Sequence, residues 1–110
     1  MNCQVEGVVF GPESKEAIKN IRDISRSAQI LSVTLGVSIL SDIFVKNGPV
    51  SASYKIYTTD FVLLGSAMSS STPMLRNRID HIAGEMVIFK SSKLTAAEKK
   101  FWRCVYNETS

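Results

Sequence analysis

The chain has 110 residues, a formal net charge of +3, and 45% hydrophobic and 21% charged residues. These proportions exclude an intrinsically disordered chain, and the length fits one domain, residues 1–110, with a single modest core. The mildly basic balance permits an anionic partner such as nucleic acid without requiring one.

The first two predicted elements are a strand and an amphipathic helix. The Val-rich segment 3–10 is typical of a strand, and Gly11-Pro12 predicts the turn that ends it. From Lys15 to Ala28 apolar residues recur at helical spacing, and Ser14 is the expected N-cap. A helix with one apolar face is expected to lie on a sheet with its polar side in water.

Three strands in an antiparallel meander are predicted next. Residues 30–45 alternate apolar and polar side chains almost without interruption, which is typical of a half-buried strand. Leu40 and Phe44 break this alternation, so a bulge, bend or strand end is expected near them. After an Asn-Gly-Pro turn, residues 50–58 alternate again, and residues 61–68 predict the third strand of the meander.

The remaining sequence predicts a helix, a short strand and a last helix. The helix spans residues 74–83 and is closed by Gly84, and residues 86–89 predict the strand. A capping box of Thr95 and Glu98 starts the last helix, which is expected to reach Tyr106. The order β-α-β-β-β-α-β-α predicts an α+β fold. It would be a two-layer sandwich of about three helices on a mostly antiparallel sheet of about 4–5 strands.

Two short patterns resemble known families. The predicted order of helix, three strands and helix over residues 14–83 resembles double-stranded-RNA-binding domains, but Val50 and Ser51 stand where that family has a histidine. Residues 5–10 are similar to the opening motif of acylphosphatases, with Gly11 in place of the catalytic arginine. Since the residues that act in these families are missing, neither resemblance assigns a family or an activity.

The sequence gives little support for catalytic or metal-binding chemistry. Cys3 and Cys104 are expected to be reduced thiols of an intracellular protein, although they could form a terminal staple if they meet in space. His81 is the single histidine, so no metal site, cofactor or enzymatic activity is expected. No signal peptide and no membrane-spanning run are recognised, which predicts a cytoplasmic or nuclear location.

Binding is instead predicted from a stripe of cations on the first helix. Their spacing places four side chains on one helix face over about 16 Å, a scale that can follow a run of phosphates. Arg76 and Arg78 are expected to add to this surface, and a dimer would set two stripes side by side. The competing interpretation is a solvated face neutralised in part by Glu13, Glu16 and Asp23. The stripe consists of Lys15, Lys19, Arg22 and Arg26.

These features predict a small non-enzymatic nucleic-acid-binding module, for RNA rather than DNA, that forms a homodimer. The alternative is a protein–protein interaction or homo-oligomeric assembly subunit that uses a strand edge. Its other contacts would be Trp102 and Tyr106, which are expected on the polar edge of the last helix. A chain of this size would also suit a viral or phage accessory protein.

Overall fold

The computed structural model describes residues 3–29, 38–46 and 53–110, and 73% of these residues are helical. Within these ranges the elements are β1 (Val5–Val8), α1 (Pro12–Ala28), α2 (Ile39–Phe44), β2 (Tyr54–Ile56), α3 (Thr58–Ser70), α4 (Pro73–Ile88), a 3-10 turn (Ser91–Lys93) and α5 (Ala96–Thr109). The sheet formed by the described residues has two strands, so the predicted sandwich on a four- to five-stranded sheet is wrong.

Several local predictions are confirmed. β1 lies inside the predicted strand 3–10, and it pairs antiparallel with β2, with Val5 opposite Ile56. α1 contains the predicted helix, but it begins at Pro12 with Gly11 as its N-cap, so the predicted N-cap Ser14 is wrong and lies buried inside the helix. α5 begins at the predicted capping box. In that box Thr95 Oγ1 accepts from Glu98 N at 3.2 Å, and Glu98 Oε1 accepts from Thr95 N at 3.1 Å. The capping box of α5 and the strand signal of β1 are therefore correct in this chain.

The second half of the long predicted strand is a helix, α2. Ser38 caps it, since its Oγ accepts from Leu40 N at 3.2 Å. Leu40, Ile43 and Phe44 follow i, i+3, i+4 spacing and are fully buried. The two residues that interrupt the alternation are thus core contacts of a helix, and no strand bulge forms around them. The earlier part of that strand and the Asn-Gly-Pro turn lie outside the described residues.

The third predicted strand is also helical, as α3. Its start is stabilised by Asp60, whose carboxylate accepts from Tyr57 N at 2.9 Å. Phe61, Leu64 and Met68 are buried at i, i+3 and i+7, so one face of the segment meets the core at helical spacing. The polar residues that precede it are a helix start and not a turn between strands.

The helix predicted to stop at Gly84 continues to Ile88. Tyr106 of α5 packs on Gly84, because a Cβ there would lie 3.1 Å from Tyr106 Cε1. The glycine therefore permits close approach of α4 and α5 instead of ending α4. Met86 is buried within α4, so the short strand predicted at 86–89 is wrong.

Helix α5 is the centre of the fold and contacts β1, α3 and α4. Phe101 on α5 has its ring centroid 5.0 to 6.0 Å from those of Phe10, Phe44, Phe61 and Trp102. Most of these ring pairs are tilted or edge-on, the arrangement that aromatic quadrupoles favour. This aromatic cluster joins the loop between β1 and α1, through Phe10, to α2, α3 and α5 in one core.

A disulfide joins Cys3 to Cys104, with the two Cα atoms 5.8 Å apart. The predicted pair of reduced thiols is therefore wrong. Both residues are buried, and the bond ties the segment before β1 to the middle of α5. Such a bond typically stabilises a small domain by about 2–4 kcal/mol.

Candidate functional site

The basic stripe on α1 is divided between two roles. Arg22 Nη2 donates to Ile43 O at 2.8 Å, and Arg26 Nε donates to Val45 O at 3.0 Å. Both carbonyls lie at the C-terminal end of α2, where helix carbonyls lack partners within the helix and the dipole favours a cation. These two arginines therefore hold α2 against α1.

Lys15 and Lys19 are the exposed remainder of the stripe, and no ion pair involving them is found in the described part of the chain. Arg22 is half-buried, and this burial lowers the pKa of its guanidinium from its usual value. The surface expected to present four cations to phosphates thus presents two lysines freely.

Arg76 and Arg78 do not extend the stripe. Arg78 lines a groove between α1 and α4 together with Asp23, and no stripe residue lines that groove. At about 100° per residue, Asp23 borders the stripe, since it lies four residues after Lys19, and its charge acts on Arg22. Arg76 is half-buried on α4. Among the described residues, no contact joins Arg76 or Arg78 to the stripe.

Trp102 is fully buried, so its expected place on the polar edge of the last helix is wrong. Its Nε1 donates to Ser14 Oγ at 2.9 Å, which satisfies the indole N–H inside the core. Tyr106 is half-buried against Gly84. The aromatic pair predicted as a partner contact mainly packs helices together.

A buried carboxylate lies beside this tryptophan. Glu98 Oε2 accepts from Gly11 N at 3.1 Å and from Ser14 Oγ at 2.5 Å. Burial raises the pKa of Glu98, but the hydrogen bonds from Ser14, Gly11 and Thr95 outweigh burial and hold the pKa below its ordinary value. Because Gly11 is the N-cap of α1, this one carboxylate caps both α1 and α5. Its donors are all internal, which indicates a structural role.

Four cations gather where the 3-10 turn meets α5. Lys99 and Arg103 lie one turn apart on α5 and line a hollow of about 210 Å³ with Ser91. Neither cation has an ion-pair partner within residues 3–29, 38–46 and 53–110. The turn supplies two more cations on either side of Ser91. We name this surface the basic cluster; its members are Lys90, Lys93, Lys99 and Arg103.

One carboxylate touches the basic cluster. Glu13 Oε2 lies 3.2 Å from Lys90 Nζ, and Glu13 Oε1 lies 3.5 Å from Lys93 Nζ. The hydrogen bond from Lys90 lowers the pKa of Glu13 below its ordinary value. Glu13 thus pairs with the two lysines of the turn, and Lys99 and Arg103 are the cations of the basic cluster that have no ion pair among the described residues.

An exposed aromatic residue adjoins the basic cluster. Phe89 is 78% exposed and directly precedes Lys90. Together with Tyr106 it lines a second hollow of about 170 Å³. Asp80 and Glu85 line the same hollow, so this ring has carboxylates around it as well as Lys90 next to it in the chain. The sequence offers one weak signal for this site, the i, i+4 pair Lys99 and Arg103 on the polar side of a capped helix.

The described ranges bring together no set of metal ligands. No group of three or more His, Cys, Asp and Glu side chains there could hold a metal ion. His81 Nε2 lies 3.0 Å from Glu85 Oε1 on the exposed side of α4. Likewise, no helix among the described residues is long and apolar enough to cross a membrane.

Comparison with known proteins gives no family for this chain. No family model, curated protein or solved structure matches it.

Proposed function

We propose that the protein is a non-enzymatic nucleic-acid-binding module that contacts phosphates through the basic cluster. The observation behind this proposal is the excess of cations around the hollow lined by Lys99 and Arg103. Guanidinium and ammonium groups form charge-assisted hydrogen bonds to phosphate oxygens, and Arg can do so with two donors at once. The stripe on α1 contributes less, because two of its arginines bind α2.

Phe89 favours nucleic acid over anionic polymers that have no bases. Single-stranded nucleic acids bind surfaces that combine cations along the backbone with aromatic rings that stack on bases. Phe89 is exposed and directly precedes Lys90 in the chain, so an aromatic ring is accessible next to the segment that carries two cations of the basic cluster. We therefore propose single-stranded RNA as the ligand, in agreement with the preference for RNA predicted from sequence.

The disulfide is relevant to the compartment in which this binding takes place. Structural disulfides persist in oxidising compartments and are rare in the cytosol and nucleus. The bond between Cys3 and Cys104 therefore supports an oxidising compartment over the cytoplasmic or nuclear location expected from sequence. Sulfated polysaccharides are the main competing polyanions in such a compartment, so the test must include one.

The assembly alternative is less well supported. Trp102 is buried, and Ile39–Phe44 of the proposed strand edge is helical. The expected homodimer stays a prediction, which light scattering on the disulfide-bonded protein would measure. A stable oligomer that does not bind RNA would favour assembly over the proposed function.

The test is fluorescence anisotropy with a labelled single-stranded RNA of about 20 nucleotides at several salt concentrations. With three to four phosphate contacts, log Kobs should fall with log salt at a slope of about −2 to −3. Charge reversal of Lys99 and Arg103 together should weaken binding about 100-fold and flatten the slope by about 1.4. The matched control reverses Lys15 and Lys19, which carry the same charge and are exposed.

Three outcomes would refute or redirect the proposal. Absence of binding by the wild type at ~50 mM salt, where phosphate contacts are strongest, would refute it. If charge reversal of Lys15 and Lys19 lowers the RNA affinity equally, the phosphate contacts lie on α1 instead. Phe89→Ala should weaken RNA binding by about 1–3 kcal/mol and leave heparin binding unchanged. If heparin binds as tightly as RNA and Phe89→Ala changes neither, the ligand is a polyanion without bases.

A further inference from the structure

A second surface lies between the second half of α1 and the first half of α4. Its chemical character differs from that of the basic cluster. It is an open groove of about 750 Å³. Sites of roughly 300–1,000 Å³ accept small organic molecules, and a short stretch of peptide has a similar size. The groove shares no lining residue with the basic cluster.

The floor of the groove is apolar. Ile24 and Ile82 lie along it, and Met74 stands at its end with 71% of its surface exposed. Methionine is flexible and polarizable, and it is frequent on surfaces that accept several apolar side chains. An exposed methionine beside two isoleucines offers a partner a place to bury an apolar group.

The walls carry polar groups that the protein itself does not use. Asn20 and Asp23 lie on α1, and Asn77 and Arg78 lie on α4. In the described part of the chain none of these four side chains forms a hydrogen bond or ion pair. Asp23 and Arg78 share the groove without pairing with each other; Asp23 acts on the neighbouring Arg22, and Arg78 is the charge available to a ligand.

These groups match the chemistry of a peptide. A carboxamide presents one acceptor and two donor hydrogens, so it can bind the C=O and N–H of a peptide main chain together. Two carboxamides on facing helices, an apolar floor and one charge of each sign suit a short extended segment. Nucleic acid fits poorly, because the Asp23 carboxylate would face phosphates.

We propose that this groove binds an extended peptide segment of a partner protein, with an apolar side chain on the floor. An acidic residue of the segment lies at Arg78, and Asn20 and Asn77 bind its main chain. This binding is independent of the proposed RNA binding, since the two surfaces use different residues.

The test selects peptides from a random 12-residue phage-display library on the intact, disulfide-bonded protein. Selected sequences are synthesised with a fluorescein label, and Kd is measured by anisotropy. Asn77→Ala and Arg78→Gln should each weaken binding about tenfold, the effect of losing a hydrogen bond to a charged or main-chain group. Arg76→Gln is the matched control, because it removes the same charge from α4 outside the groove. It should change Kd less than about twofold.

The outcomes separate this proposal from its competitors. Selection of no peptide above background would overturn it and leave a small organic molecule as the candidate ligand. Peptides whose binding survives Asn77→Ala and Arg78→Gln would also overturn it. If binding is instead lost on charge reversal of Lys99 and Arg103, the peptides occupy the basic cluster and the groove is not their site. Far-ultraviolet circular dichroism of each variant verifies the fold.

Discussion

Replacing Glu98 by glutamine should destabilise the protein strongly, although the two side chains have the same shape. The carboxylate accepts from Thr95 N through Oε1 and from Gly11 N and Ser14 Oγ through Oε2. Glutamine has a single side-chain oxygen. It can accept either from Thr95 N or from Gly11 N and Ser14 Oγ, and the donors on the other side are then buried without an acceptor. Hydrogen bonds to charged groups contribute about 1.5–3 kcal/mol each, so we expect a loss of about 2–4 kcal/mol.

The assay follows chemical and thermal unfolding through Trp102, the single tryptophan, which is bonded to Ser14 within the same network. A loss of this size should lower Tm by about 10–20 °C in a chain of this length. Glu16→Gln is the matched control, because Glu16 lies exposed on α1 and surface changes usually stay within about 0.5 kcal/mol.

The same variant should remove part of the acid sensitivity. The pKa of Glu98 is lowered in the folded protein, because hydrogen bonds outweigh the opposing effect of burial. Its stabilising effect is therefore fully present above the ordinary pKa of 4.5 and is lost as the pH falls through the lower folded-state pKa. Between about pH 5 and pH 3 the wild type should lose more stability than Glu98→Gln.

Two results would refute this reasoning. One is a Glu98→Gln variant whose free energy of unfolding matches that of the Glu16→Gln control. The other is a pair of stability curves for wild type and Glu98→Gln that run parallel below the ordinary pKa. Either result would mean that the carboxylate does not cap the two helices in solution.

Two further predictions concern contacts that hold the chain together. Replacing Cys3 and Cys104 by alanine should cost about 3–5 kcal/mol in urea unfolding, since the bridge closes a loop with a sequence separation of 101. Reduction of the wild type should give a similar loss, and an unchanged midpoint would contradict the bond. Arg22→Met should cost about 1–3 kcal/mol, because Ile43 O loses its donor. Hydrogen exchange should become faster in α2 than in α5, whereas a uniform change would contradict a local capping role.

The elements that sequence predicted correctly depend on short-range signals. Thr95 and Glu98 cap α5 within one turn, and the alternation around Tyr54–Ile56 matches β2. The periodicity of apolar residues predicted the wrong element where a strand pattern and a helix pattern fit the same residues. Ile39 and Ile43 continue a strand alternation, but Leu40 and Phe44 complete a helical face. Tertiary burial against α1 decides between the two, and that burial is invisible to a local pattern.

The candidate sites were harder to predict for a different reason. Charge spacing on α1 correctly placed four cations on one face, but it could not reveal that Arg22 and Arg26 donate to carbonyls of α2. The basic cluster combines residues of a turn and of a helix, so no single sequence periodicity predicts it. The pairing of Cys3 with Cys104 follows from where β1 meets α5, which depends on the whole fold.

The bridge between Cys3 and Cys104 also determines how the protein responds to mechanical tension. A pulling force applied before Cys3 and after Cys104 passes through the covalent bond and the 5.8 Å gap between the two Cα atoms. The helices α1 to α4 lie within the closed loop, so such a force does not stretch them. In single-molecule pulling, the oxidised protein should extend by the few residues outside the bridge. The reduced protein should release the full length between the two cysteines.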